Sequence, residues 1–542
     1  MQMRWQGSFI VRCGVAILLV ALGDWLFWQW GGLGSNIGWF TGALALAAVS
    51  FRPGIARSAA AIIPALAALI LAAILADQPS LLGLVLFIGA LGIAVLIGRH
   101  RGFDSASRWI VRIVVHCILA IVGPWRDLIR LRRRSRPLTG AAFWRLVPLP
   151  LIGGAVFLAL FAMANPVIEV WLGRLTPPDL DAELIARSIL WLMLATFVWG
   201  YLRPRKWTLP AAKQGMPGTA EMPGFTTGSV TTALVTFNLL FALQNGLDIA
   251  FLWSGAPLPD GMTLAEYAHR GAYPLIATAL LAGLFVLVAL RPGTATASNP
   301  LVRWLVILWT GQNLFLVAST IERTMDYVEA YSLTRLRIAA LIWMALVAVG
   351  LVLILWRVLR GHDARWLVNA NAAVATAVLM TCSLVDLGAM AATWNVRHAA
   401  EAGGRGAELD LCYLDDLGSA SLIPLVELEL ARNHDPVFLD RVAWVRSGLL
   451  RQTLGRQTTG DWTWRDHRRI ETVKAMTLAR GLRLRASPDD GPNGRGCDGT
   501  PNPPPVTVEP ADAPAAAPSA PSPDDRTGTV PANPSLTTEA AQ

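Results

Sequence analysis

Charge is scarce in this chain. Asp, Glu, Lys and Arg make up 15% of its 542 residues, against roughly 25% in an ordinary soluble domain. A large soluble protein with so few charges would struggle to cover its surface. The signatures of common soluble chemistries are missing as well. There is no GxxxxGK(S/T), no GxGxxG between a strand and a helix, no HExxH and no GxSxG. P-loop ATP hydrolysis, Rossmann redox chemistry and the commonest zinc proteolysis therefore lack their usual residues. Five cysteines occur with no CxxC spacing, which removes zinc and dithiol redox motifs. No catalytic residue, metal site or cofactor is expected. Arg4 and Arg12 precede an apolar run, but no small-residue cleavage site follows it. That run reads as a retained first span rather than a signal peptide.

Apolar residues, in contrast, fill 54% of the chain. They gather into runs close to the roughly 20 residues that a helical crossing needs. About eleven crossings are expected, at 10–30, 37–51, 58–76, 80–98, 146–165, 186–202, 228–253, 271–290, 303–321, 335–357 and 366–392. The runs are continuous rather than alternating, and a lipid-exposed backbone must satisfy its own hydrogen bonds, so the spans are helices. The expected fold is an all-α polytopic transmembrane bundle. Tryptophans such as Trp25, Trp28, Trp30 and Trp39 fall at span ends, where an interfacial belt belongs.

The net charge is +9, and residues 99–145 carry all of it, with eleven Arg against Asp104 and Asp127. Arginine and lysine are retained in short cytoplasmic loops. This places the N-terminus in the cytoplasm and the C-terminus, after an odd number of spans, outside it. Residues 109–125 are apolar enough to suggest a further crossing. A crossing there would bury Arg112, at a cost of about 2.5–3.5 kcal/mol, and export the arginines that follow. Arg108, Arg112 and His116 share one helix face. The segment therefore reads as an amphipathic helix on the cytoplasmic leaflet, with Arg126, Arg130, Arg132, Arg133 and Arg134 gripping anionic headgroups. Its flanking spans make a lipid bilayer, rather than nucleic acid, the expected partner.

Residues 393–485 have mixed polarity and two amphipathic stretches. Asp435 and Pro436 open one of these, and the segment reads as a small helical extracytoplasmic domain. From 486 to 542, Pro, Ala, Ser and Thr dominate, and a disordered tail is expected. Cys412 and Cys497 lie in these parts and could pair in an oxidising compartment.

Polar groups concentrate toward the extracytoplasmic ends of the later spans. The seventh span holds Asn238, Gln244, Asn245 and Asp248, and the ninth holds Gln312 and Asn313. Glu322, Asp326 and Glu329 follow at spacings that put them on one helix face. Glu266, His269 and Arg270 precede the eighth span, Arg335 opens the tenth, and Asp386 sits within the expected last span. Two readings are open. In one, Arg270, Arg323, Arg335 and Arg337 neutralise these acids in a structural collar, with Asn and Gln bonding between helices. In the other, Asn245, Asp248, Glu266, His269, Arg270, Glu322, Asp326, Glu329 and Arg335 line a polar pocket, because ionisable groups within spans are costly. Glu266, His269 and Glu322 or Asp326 have metal-ligand chemistry, but at no motif spacing.

The segments GFTTGSVTTALVTFNLLFALQNGLDIAFLW, LPDGMTLAEYAHRGAYPLIATALLAG and YVEAYSLTRLRIAALIWM resemble a bacterial membrane family, domain of unknown function 4173, related to 4153. The resemblance covers about 220–360 and continues through NVRH and LDLCYL near 395–414. It implies a bacterial inner-membrane protein and brings no activity or catalytic residue. The domain organisation expected is a four-span bundle (1–98), a basic segment (99–145), a seven-span core (146–392), the helical domain (393–485) and the tail (486–542). Solute or ion transport or sensing is the first functional expectation. A membrane-embedded enzyme acting on a lipid-linked substrate, or an envelope scaffold, is the alternative.

Overall fold

The computed structural model describes residues 2–52, 54–55, 58–98, 102–134, 154, 182–205, 226–253, 278, 281, 283–285, 294–431, 435–479, 484–490 and 493–504. Among them helix is the only extended regular structure, with an isolated bridge between Arg495 and Pro501. The first group of helices is α1 (Gln2–Asp24), α2 (Asn36–Ser50), α3 (Ala59–Asp77), α4 (Leu81–Ile97), α5 (Ala106–Arg134) and α6 (Ala182–Leu202). The second is α7 (Thr227–Asp248), α8 (Pro300–Tyr331), α9 (Arg335–Arg360) and α10 (Ala364–Leu384). The third is α11 (Leu387–His398), α12 (Leu411–Asp416), α13 (Leu422–Leu430), α14 (Pro436–Gln457) and α15 (Trp464–Ala479). Eight described helices are long and apolar enough to cross a membrane, and α2 and α4 are shorter apolar helices. The expected spans at 146–165 and 271–290 lie outside the described residues, isolated positions apart.

The first bundle packs by close approach of small residues. Ala45, Ala48, Ala65, Ala68 and Ala72 share its core with Leu44, Leu71, Leu75, Phe87 and Leu91. A Cβ on Gly38 would lie 2.1 Å from the Ala76 backbone nitrogen, so α2 and α3 touch backbone to backbone there. In lipid such contacts replace the hydrophobic effect as the source of cohesion. The second bundle packs on aromatic rings. Phe237, Phe241 and Phe285 all meet Trp309.

Helix ends alternate between two faces of the molecule. Arg12 in α1 reaches the Leu202 carbonyl, and Asp24 at the other end of α1 pairs with Arg187. α1 and α6 are thus antiparallel. α7 and α8 run parallel, because Asn238 meets Leu305 and Asn245 meets Gln312 at a constant offset.

The Ala106–Asp127 stretch of α5 is one of these eight by length and composition, but its contacts run differently. Ala106 donates to Asn369 of α10 at 2.8 Å, Ile113 faces Gly92 of α4, and His116 meets Tyr201 of α6. Asp127 then accepts from Trp199 and pairs with Arg203 and Arg205. Between His116 and Asp127 the partners stay near the end of α6, so α5 crosses the ends of its neighbours. Trp109, His116 and Asp127 are buried on that side, while Ile110, Val114, Ile118, Ile121 and Trp125 are exposed.

The last apolar helix ends sooner than expected. α10 stops at Leu384, Val385 is extended, and Asp386 caps α11 by accepting from the Ala389 N–H at 3.0 Å. Asp386 is therefore a helix cap rather than a residue within a span. A short carboxylate at a chain break satisfies a helix-end donor that would otherwise be orphaned.

Helices α11–α15 share a core built on Leu411, Leu414, Leu422, Leu425, Val442 and Leu449, joined by Val328, Leu333 and Ile338 from α8, α9 and their turn. Cys412 and Cys497 form a disulfide. The segment around Cys497, which composition assigns to the tail, is fastened further by Arg441 to Asp498 and Arg495 to Asp440.

Candidate functional site

α7 and α8 meet along a polar seam. Asn238 donates to the carbonyls of Leu234 and Leu305 at 2.8 and 3.1 Å. Asn245 donates to the Gln312 carbonyl at 3.2 Å, and Trp253 donates to Ser319 at 3.3 Å. Near the end of α7, Asp248 pairs with Arg323 of α8 and accepts from Gln244 at 3.0 Å. Asp248 is 2% exposed and Arg323 is 7% exposed, so both charges are out of solvent. Burying an ion pair costs several kcal/mol per ion, by order of magnitude, and the pair returns that cost only when its remaining atoms find partners. Here they do not all find them. Asp248 Oδ2, Asn245 Oδ1, Gln312 Oε1 and Asn313 Oδ1 are buried and accept no hydrogen bond among the described residues. With Asn238 Oδ1 these make five buried acceptor atoms on two facing helices, with donors of Trp309 and Arg323 among them.

The sequence-predicted residues divide around this seam. Asn245 and Asp248 lie within it. Glu322, Asp326 and Glu329 lie on α8 as their spacing requires, but on its exposed side, and make no ion pair among the described residues. Arg323, one residue beyond Glu322, points the other way and is buried. Arg335 turns to the C-terminal group, where its N–H donates to the Tyr413 hydroxyl at 2.8 Å and its guanidinium to the Leu417 carbonyl at 3.3 Å. Arg337 bonds the carbonyls of Tyr331 and Ser332. Glu266, His269 and Arg270 lie outside the described residues. Among the described residues, no three His, Cys, Asp or Glu side chains gather as a metal site. On the basic helix, Arg126 is exposed, and the backbone carrying Arg130, Arg132, Arg133 and Arg134 continues as helix.

The turn between α8 and α9 is gripped from above. Asn395 of α11 accepts from the Leu333 N–H at 2.7 Å and donates to its carbonyl at 3.0 Å. The seam helix is thus bonded directly to the C-terminal group. That group also holds Asp77 of the first bundle and Asp386 at the α10–α11 junction, through arginines the sequence alone did not single out. Arg465 and Arg468 of α15 bind Asp77, and Arg465 and Arg469 bind Asp386. Their signal was present as a basic stripe at i, i+3 and i+4. Backbones also cross between the two parts: Ser35 donates to the Trp462 carbonyl at 2.8 Å, and a Cβ on Gly32 would lie 2.0 Å from the Gly460 carbonyl carbon.

The model of one family, Domain of unknown function (DUF4153), matches residues 62–428, from α3 into α13. The match takes in the seam and the turn that α11 grips. No curated protein and no solved structure matches the chain.

Proposed function

We propose that this chain, which belongs to the DUF4153 family, is a multi-pass inner-membrane protein that binds a proton or small monovalent cation in the seam between α7 and α8, in transport or sensing. The observation that carries the reading is the buried Asp248–Arg323 pair with its surplus of unpartnered oxygens. Acceptor-only atoms call for a positive partner. Amide oxygens and one shared carboxylate suit a hydrated or monovalent ion better than a transition metal. Asp248 would exchange part of its bonding with Arg323 for the ion, and α8 would pass the change to α11 through Leu333 and Asn395.

Two features support an orientation with the C-terminal group outside the cytoplasm. The Cys412–Cys497 disulfide belongs to an oxidising compartment. The arginine-rich α5 lies at the opposite ends of the helices, where cytoplasmic retention would place it. Its exposed apolar face would rest in the inner leaflet, with its arginines toward anionic headgroups. The bacterial setting and kinship with family 4173 rest on the sequence resemblance.

Reconstitution into liposomes tests the reading. Sodium, potassium and proton gradients should each be imposed, and flux and thermal stability measured. The wild type should respond to one of these ions, and Asp248→Asn should lose that response. A wild-type protein with neither flux nor ion-dependent stability for any of the three would overturn the proposal.

A further inference from the structure

A second concave site lies between the first bundle and the C-terminal group. It is a groove of about 990 Å³. Trp25, Trp30 and Trp39 form its wall on the membrane-helix side, and Trp462 and Trp464 close it from the other side. Trp25 and Trp30 lie 5.2 Å apart between ring centroids, and Trp462 and Trp464 lie 4.9 Å apart. An interfacial belt explains tryptophans at span ends. It does not explain their convergence on Trp462 and Trp464, which belong to no span. Trp25, Trp30, Trp39 and Trp464 are each more than 40% exposed, so the groove presents open aromatic faces.

One polar side chain identifies the missing partner. Gln457, the last residue of α14, lines the groove, and both atoms of its amide are buried without a partner among the described residues. A buried amide left unpaired costs about 1–3 kcal/mol, so a ligand that pairs it gains that much selectivity. The amide needs one acceptor and one donor at once, which a hydroxyl group supplies and a quaternary ammonium does not. Thr458 and Thr459 beside it donate their hydroxyls to the carbonyls of Gly455 and Arg456, leaving oxygen lone pairs toward further donors. Among the described residues, no charged side chain lines the groove. Nearby, Asp461 turns its carboxylate to the Leu33 N–H at 3.1 Å. Leu22, Leu26 and Ala43, from the apolar ends of α1 and α2 and the turn after α1, complete the floor.

We infer that this groove binds a membrane lipid with an uncharged, hydroxyl-rich headgroup. The headgroup packs between the tryptophans and bonds the Gln457 amide, while the tail runs down along Leu22 and Ala43. The described lining carries no cation to meet a phosphate, which argues against phospholipid headgroups. Every residue of this groove lies outside the family-matched stretch 62–428. The site is therefore separate from the seam, and either can fail without the other.

The test uses the full chain, purified in a detergent without a sugar headgroup, since a maltoside would compete. It is placed in phosphatidylcholine nanodiscs doped with glucosyl diacylglycerol or plain diacylglycerol, and lipid retention is read by native mass spectrometry. The glucosyl lipid should be retained over diacylglycerol, and Gln457→Leu should weaken retention about tenfold, as loss of paired hydrogen bonds implies. Trp462→Ala should weaken it comparably from the other wall, and unchanged melting of both variants would separate binding from folding. Equal retention of the two lipids, or wild-type retention by both variants, would overturn the inference. So would equal binding of free methyl glucoside, which would assign the groove to a soluble sugar.

Discussion

Each bundle holds a carboxylate–guanidinium pair at the end nearer the C-terminal group, and the two pairs are built differently. In the first, Asp24 accepts from Arg187 through both oxygens, at 2.8 and 2.6 Å, and from Trp191 at 2.7 Å. Every carboxylate oxygen is used, and Arg187 retains 30% side-chain exposure. In the second, Asp248 and Arg323 are almost fully enclosed, and one carboxylate oxygen has no partner among the described residues. A forked pair with every carboxylate oxygen used and its arginine still partly exposed is a clamp, because its geometry is complete. A closed pair with an open valence costs more and stabilises less, so its retention points to a use beyond packing. The first bundle therefore reads as a scaffold, and the second as the part that changes state.

The strongest way to break this contrast is to remove one charge from the enclosed pair. Arg323→Leu leaves Asp248 buried without its counter-charge and should lower stability by about 3–5 kcal/mol. The double change Asp248→Leu with Arg323→Leu should recover most of that in thermal melting while abolishing any ion response. Equal loss in the single and double variants would make the pair a plain structural bridge.

A second test concerns the group that ties the bundles together. Replacing Cys412 and Cys497 by Ser opens a loop of 85 residues in sequence separation. That should cost about 2–4 kcal/mol, confined to the C-terminal group. Limited proteolysis should then cut near Cys497 while α1–α10 stay protected. Uniform loss of protection across the chain would show that the bundles depend on the disulfide as well.

Asp24→Asn should have a smaller effect, a modest drop in melting temperature with ion response intact. Here the Arg187 side chain keeps 30% exposure, so solvent screening weakens what the pair contributes. A lost ion response in this variant would erase the distinction between clamp and working pair.

The smallest effect is expected at Asp104, before α5. Burial pushes its carboxyl up, but bonds from Arg112 and the Ser105 N–H outweigh this and hold it down to about 2. Because the folded value is depressed, its stabilisation is present above the unfolded value of about 3.9. It is lost as pH falls toward about 2. Asp104→Asn should remove that acid-side dependence and lower stability modestly at neutral pH, with variant and wild type converging as pH falls toward about 2. An unchanged acid titration of α5 docking, followed by proximity labelling between Ala106 and Asn369, would exclude the role.

Much of this architecture was legible in the residues. The apolar runs at 37–51, 58–76 and 80–98 became α2, α3 and α4 within a residue or two. Pro436 after Asp435 opened α14 as capping predicts. The polar residues of α7 were also visible as costly groups. Their partner was not. Glu322, Asp326 and Glu329 share a face, but periodicity cannot say whether that face looks inward. Packing turned Arg323 inward instead. Asp386 was hidden for a similar reason: hydropathy averaged over a window runs through a two-residue break that a single carboxylate cap creates. The tryptophans looked like a belt because Trp462 and Trp464 stand more than 400 positions from Trp25 in sequence.

The sequence alone determined that this is a helical membrane chain, where several of its helices begin and end, and where its positive charge is concentrated. These are local properties, since transfer from water to lipid sums over neighbouring residues and needs no knowledge of distant ones. Only the tertiary structure decided that Asp248 meets Arg323, that Asp77 and Asp386 share the arginines of α15, and that five tryptophans line one groove. Each of these depends on the register and rotation of helices far apart in the chain, which are fixed by packing between helices rather than by any segment's own composition.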